Sequence, residues 1–226
     1  MEEIVPGVFT FTKLMVGRVY LLTEGDGLTL IDTSIASAGK KILAQLRDAG
    51  HELASVKRIL ITHAHPDHVG SVAELKKATG AQLIVPEGER AVVDGEIPVP
   101  RAPTFIKPPK TMFKDMKADQ TLADGDVLAD VFAGLQAVST PGHAPGHMAY
   151  WQPERRILFC GDAIFNAPRK ARLPYKILTV DMAENIRSIA KLAALEPEVI
   201  CFGHGKPVTQ NAAQFLKDFA KKVGAT

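Results

Sequence analysis

Apolar and polar residues alternate in short runs at VFTFT (8–12), RVYLLT (18–23) and LTLID (28–32), the last two separated by Asp26-Gly27. A period of two broken by a turn dipeptide predicts an antiparallel meander of strands. From residue 37 the spacing changes: Ile42, Leu43 and Leu46 fall on one stripe, which predicts a helix with Ser37 as its N-cap and Gly50 as its stop. A strand, KRILIT, then runs straight into a histidine cluster at 63–68, followed by a helix over about 70–79 closed by Gly80 and a strand QLIV. Between about 94 and 118 neither period is visible, and Pro98, Pro100, Pro103, Pro108 and Pro109 punctuate a long loop. Strands return at VLADVF, LQAVST, MAYWQ and RRILFC, and after them come a helix over about 182–195, a strand EVICF and a last helix over about 210–222. This order suits two sheets packed face to face with helices outside them, in one α/β domain spanning residues 1–226.

Composition narrows the picture. Hydrophobic residues make up 46% and charged residues 23% of 226 positions, an ordinary globular balance without an apolar run long enough to span a bilayer. The start, MEEIVPGVFTF, has neither the basic nor the apolar segment of a secretory signal, so a cytoplasmic location is expected. Cys160 and Cys201 each end an apolar run and read as buried thiols rather than a disulfide. A net charge of +2 gives no field that would favour nucleic acid, and neither nucleic acid nor membrane is expected as a partner. A small-molecule substrate is expected, and the oligomeric state stays open, a homodimer included.

The chemistry lies in the histidines. Of seven, all but His51 fall in three short segments: His63-Ala64-His65-Pro66-Asp67-His68, Thr140-Pro141-Gly142-His143-Ala144-Pro145-Gly146-His147, and Gly203-His204-Gly205. Each follows an apolar strand-like run, as does Gly161-Asp162 after RRILFC, so four strand ends can converge on one site. Imidazole with carboxylate suits zinc and other borderline divalent ions. Four potential ligands within residues 63–68 exceed what one tetrahedral ion needs, which points to two neighbouring ions.

HAHPDH, TPGH, GD and GHG, in this order and spacing, resemble the metallo-β-lactamase superfamily over almost the whole chain. The resemblance implies a four-layer αβ/βα sandwich of two mixed β-sheets flanked by helices. It implies His63, His65 and His143 as ligands of one metal, Asp67, His68 and His204 as ligands of the other, and Asp162 as the bridging carboxylate. Asp32 matches an early aspartate that orients such sites, and His147 is expected to hold the TPGH turn by a hydrogen bond. The implied cofactor is a pair of divalent ions, zinc first, with iron or manganese as alternatives. The implied activity is hydrolysis of an ester, thioester or lactone carbonyl by a metal-bound hydroxide, with Asp67 steering the proton. A phosphodiesterase or nuclease, and a non-catalytic regulatory protein retaining the site, are the alternatives.

Departures from subfamily patterns narrow the substrate by subtraction. Asp162 is followed by AIFNAPRKARLPYK and not by a GCGR-like segment, which argues against a glutathione thioester or persulfide. Phe165 stands where acyl-homoserine lactonases place a tyrosine, and Asp162 stands where true β-lactamases of this fold have cysteine or serine. His65 counts against flavodiiron proteins, which have glutamate there. In the 94–118 loop Phe105, Ile106, Met112 and Phe113 are expected to form a semi-rigid apolar cover over the metal cleft, with Phe165 and Tyr175 as the next wall candidates. Arg169, Lys170, Arg172 and Lys176 read as a solvated loop face.

Overall fold

The computed structural model describes every residue except 24, 101–112, 114–115, 167–169 and 226. Seven strands form the first sheet: β1 (Glu2–Val5), β2 (Val8–Thr10), β3 (Tyr20–Leu22), β4 (Leu28–Ile31), β5 (Val56–Leu60), β6 (Gln82–Pro86) and β7 (Gln120–Leu122), hydrogen-bonded in that order. β1 to β4 are antiparallel, the expected meander, and β4 to β7 are parallel, joined through α1 (Gly39–Asp48), α2 (Pro66–Val69), α3 (Val72–Thr79) and α4 (Arg90–Val93). The second sheet holds β8 (Val127–Leu128), β9 (Leu135–Ser139), β10 (Met148–Gln152), β11 (Ile157–Phe159) and β14 (Val199–Cys201), with α5 (Met182–Ala193) and α6 (Ala212–Val223) on its outer face. A two-stranded hairpin, β12 (Phe165–Asn166) with β13 (Ala171–Arg172), stands apart from both.

Alternation along the strands explains why there are four layers. In β3, Leu21 faces the helices α1 and α3, whereas Tyr20 and Leu22 face the other sheet. In β10, Met148 and Tyr150 face inward and Ala149 and Trp151 face α5 and α6. Both faces of these strands bury apolar side chains, so the molecule holds three apolar layers between four structural ones. Two buried tyrosines tie the sheets beneath the site: Tyr20 donates from the first sheet to the Phe202 carbonyl at 2.6 Å, and Tyr150 from the second to the Ile61 carbonyl at 2.8 Å. Burial pushes both phenol pKa values well up, so they remain donors.

Some expectations are corrected. α1 begins at Gly39 behind Ala38, and no side chain caps it, Ser37 included. VLADVF gives only the two-residue β8, since the chain turns after Leu128, and Phe132 and Ala133, with φ of 48° and 57°, lie in the connection to β9. β1 is a half-exposed edge strand whose EEIV pattern carries little apolar signal, and β12 and β13 are too short to show a period.

Candidate metal centre

The C-terminal ends of β4 and β5 in one sheet and of β9, β11 and β14 in the other open on the same edge of the sandwich, and each delivers a polar residue there. Asp32 follows β4, His63 follows β5, His143 and His147 follow β9, Asp162 follows β11, and His204 follows β14. α2 starts one residue after His65, so Asp67 and His68 sit on its single turn, aimed differently from the extended His63 and His65. Glycine is required at two of the crossings. A Cβ on Gly203 would lie 2.0 Å from Asp162 Oδ1, and one on Gly161 would lie 2.6 Å from His147 Nε2.

His65 Nδ1 lies 3.0 Å from both His63 Nε2 and His143 Nε2. An imidazole nitrogen offers either one hydrogen or one lone pair, so only one of these contacts can be a hydrogen bond at a time. A cation fits the geometry better, since tetrahedral zinc ligands at 2.0–2.1 Å stand roughly 3.3 Å apart. A second cluster joins His68, Asp67 and His204, with His204 Nε2 3.1 Å from Asp67 Oδ2. Asp162 spans both clusters: its Oδ2 is 3.5 Å from His143 Nε2 and 3.2 Å from His204 Nε2, and its Oδ1 is 3.4 Å from His68 Nε2. That Oδ1 and His68 Nε2 are buried side-chain atoms without a hydrogen-bond partner among the described residues, the condition expected of ligand atoms awaiting a cation. The donor set therefore fits two divalent ions.

Outer partners fix these rings. Asp32, held at φ 61°, accepts from the Thr62 amide and hydroxyl at 2.8 Å each, and its Oδ2 receives His68 Nδ1 at 2.8 Å, which leaves His68 Nε2 facing the site. His143 Nδ1 meets Thr179 Oγ1 at 3.2 Å. His147 holds the turn as expected, through Thr140 Oγ1 at 2.7 Å, and its Nε2 also accepts the Asp162 amide at 3.0 Å. With both nitrogens occupied it is a support, and burial keeps its pKa down at about 3.

Electrostatics separate the two clusters. Burial pushes the His63 and His143 pKa values well below the usual histidine range and that of His65 to about 4, so at neutral pH these rings present lone pairs. Burial acts the same way on His68 and His204, but the carboxylates of Asp162, Asp32 and Asp67 outweigh it, holding His68 well above its ordinary range and His204 at about 9. Burial also opposes ionisation of Asp162 and Asp67, yet the His68 charge, with help from His204, keeps Asp162 low and Asp67 at about 2. In a metal-free form, protons on His68 and His204 would offset part of the carboxylate charge.

Beside the clusters lies a cavity of about 410 Å³, walled by Val16, Phe165, Tyr175, Leu178 and Arg172. The Phe165 ring is 4.6 Å from His204, and Tyr175 is half exposed, 6.0 Å from Phe165, so the structure brings both to the cavity. Phe113 is not brought there. It is buried in the apolar cluster that includes residues of α1 and α3. Phe105, Ile106, Met112 and Arg169 lie outside the described residues. Arg172 departs from the solvated face expected of it, because β13 places it in register with Phe165 and turns it over the cavity.

One residue at the site is absent from the sequence reading. Glu89, buried just past β6, accepts the Ala64 amide at 2.9 Å and the Gly146 amide at 2.7 Å, joining the loop of His63 and His65 to the loop of His143 and His147. The backbones interlock there too, since a Cβ on Gly146 would lie 2.5 Å from the Gly88 carbonyl carbon. Burial raises its pKa while the two amides oppose the rise. Nothing local in the sequence marks Glu89, since VPEGER reads as a solvated turn. Glu89→Ala is expected to lower stability by about 2–6 kcal/mol, since two buried amides lose an acceptor at about 1–3 kcal/mol each, and to weaken metal retention. Urea unfolding and metal titration check this, and unchanged values in both would remove Glu89 from the site.

The metallo-β-lactamase superfamily profile matches residues 13–204. The chain is 28% identical over 194 residues to the probable metallo-hydrolase YybB of Bacillus subtilis (strain 168), covering 86% of this chain and 83% of that one. A hydroxyacylglutathione hydrolase of Rhodospirillum rubrum is 31% identical over 176 residues, covering 77% of this chain but only 56% of the relative. Among solved structures, BJP-1, a subclass B3 metallo-β-lactamase of Bradyrhizobium japonicum, superposes with a TM-score of 0.72 at 25% identity, over 98% of this chain and 92% of that one.

Proposed function

The chain belongs to the metallo-β-lactamase superfamily, and from that premise we propose that it is a dinuclear hydrolase, with zinc in both sites, that cleaves an ester, thioester or lactone. The observation that carries this reading is Asp162, one buried carboxylate within 3.2–3.5 Å of nitrogens from both histidine clusters. His63, His65 and His143 would hold one ion and Asp67, His68 and His204 the other, with Asp162 between them. When bound, such ions lower the pKa of coordinated water to about 7 and polarise a carbonyl.

The chain's own residues supply the rest. Asp67 keeps its carboxylate ionised, with its side chain 27% exposed toward the cavity, and can accept a hydrogen bond from water there and so steer its proton. His147 fixes the Asp162 backbone, and Asp32 fixes the His68 ring. Phe165, Val16 and Leu178 exclude water from the side of the cavity where an acyl group would lie. Hydroxyacylglutathione is a weaker candidate than a general ester or thioester, because no GCGR-like segment follows Asp162 and the chain spans 56% of the R. rubrum hydrolase.

The test is elemental analysis together with turnover of p-nitrophenyl esters, lactones, thioesters and bis-p-nitrophenyl phosphate. Two divalent ions per chain, carbonyl-substrate turnover and its loss to a chelator are expected. Turnover of the phosphodiester alone would replace this reading with a phosphodiesterase, and turnover of nothing by the metal-loaded protein would replace it with a binding role.

A further inference from the structure

Phe165, Arg172, Tyr175 and Leu178 line the cavity, and the stretch of sequence that holds them, 163–180, contains no aspartate or glutamate, while Arg169, Lys170, Arg172 and Lys176 all fall in it. Lys170 and Lys176 are exposed, as solvated lysines ordinarily are. Arg172 is different. The β12–β13 hairpin sets it directly across from Phe165, half-buried, with its guanidinium 4.4 Å from the Tyr175 ring centroid and 6.0 Å from that of Phe165. No carboxylate or carbonyl pairs with it among the described residues.

Stacking on an aromatic face holds a guanidinium in a fixed plane and leaves the N–H groups around its edge unused. Those donors match a planar carboxylate in a two-point arrangement. An arginine so held at the wall of the cavity, with no carboxylate paired to it among the described residues, has donors to offer a ligand; the carboxylates that line the cavity, Asp67 and Asp162, are engaged by His204.

We propose that Arg172 is the anion-binding residue of this cavity and that the preferred substrates are esters or thioesters bearing a carboxylate. Their apolar portion lies against Phe165, Tyr175 and Leu178. The inference rests on the hydrolase reading above. The role is one of specificity, since Arg172 recognises a group remote from the bond that breaks. A charge-assisted pair of this type changes selectivity by roughly 10- to 100-fold.

Two matched substrate pairs locate the charge. On the acyl side the metal-loaded protein is given p-nitrophenyl hemiglutarate and p-nitrophenyl hexanoate, and on the leaving-group side S-butyryl-3-mercaptopropionate and its methyl ester. The ratio of kcat/KM, anionic over neutral, should reach about tenfold or more in one pair. Arg172→Gln should bring that ratio close to one, mainly through KM, and Arg172→Lys should restore part of it. Circular dichroism reports whether each variant is folded. A ratio near one in both pairs, or the same ratio in wild type and Arg172→Gln, overturns the proposal. If none of the four compounds is turned over, the hydrolase reading fails instead, and glutarate binding by calorimetry still decides on Arg172. Affinity at least tenfold weaker in Arg172→Gln supports the anion site, and equal affinity, or no binding to either protein, overturns it.

Discussion

Asp162→Ala is expected to lower kcat/KM by on the order of 10³ or more and to leave the protein with about one ion per chain. The Asp162 carboxylate is the group that reaches both clusters, with Oδ2 toward His143 and His204 and Oδ1 toward His68. Its loss removes the shared ligand, and the cluster that suffers most should be that of His68 and His204, whose elevated pKa values depend on this carboxylate. Each 1.36 kcal/mol of transition-state stabilisation is tenfold in rate, and an ion contributes several kcal/mol, which gives the magnitude. The fold should persist, because the carboxylate lies outside the three apolar layers and the Asp162 amide still reaches His147. Elemental analysis, kinetics and circular dichroism on one preparation settle the matter. Two ions per chain with wild-type turnover would mean that Asp162 bridges nothing.

Much of this site could be read from sequence because the local signals agree with one another. An apolar run that stops at a histidine or aspartate beside glycine marks a strand end and a polar group at its tip, and Asp162 and His204 follow that rule, while His63 ends its run three residues before Pro66. Three features escaped it for physical reasons. Glu89 stands in VPEGER, which reads as a solvated turn, and only the approach of the Gly146 loop buries it. Arg172 takes its direction from two-residue strands, too short to carry a period. Phe113 sits among prolines in sequence, and nothing local distinguishes a side chain that enters the core from one that lines a cleft.

Removing the metals is expected to lower the melting temperature by roughly 10–30 °C. Ligands present at 1,000 times their dissociation constant each stabilise by about 4 kcal/mol, and a domain of this size melts roughly 2–4 °C lower per kcal/mol lost. From the ligand inventory alone, seven polar groups would converge without compensation in the metal-free state. The electrostatics moderate this, since His68 and His204 hold protons against Asp162, Asp67 and Asp32. The metal-free chain should therefore fold, with a loss toward the lower end at pH 6.5. The sign of the pH dependence follows from His204, whose pKa is raised from 6.5 to about 9. Stability from a raised histidine is fully present below its ordinary value and disappears as pH climbs through the raised one. The metal-free protein should thus lose melting temperature between pH 6.5 and 9. The loaded protein should not, because ions replace those protons and bind more tightly as the ligands deprotonate. The gap between the two forms therefore widens with pH, which calorimetric scans at pH 6.5, 7.5 and 9 would register. Equal melting temperatures, or a gap that narrows toward pH 9, would mean that the His68 and His204 protons do not occupy the place of an ion.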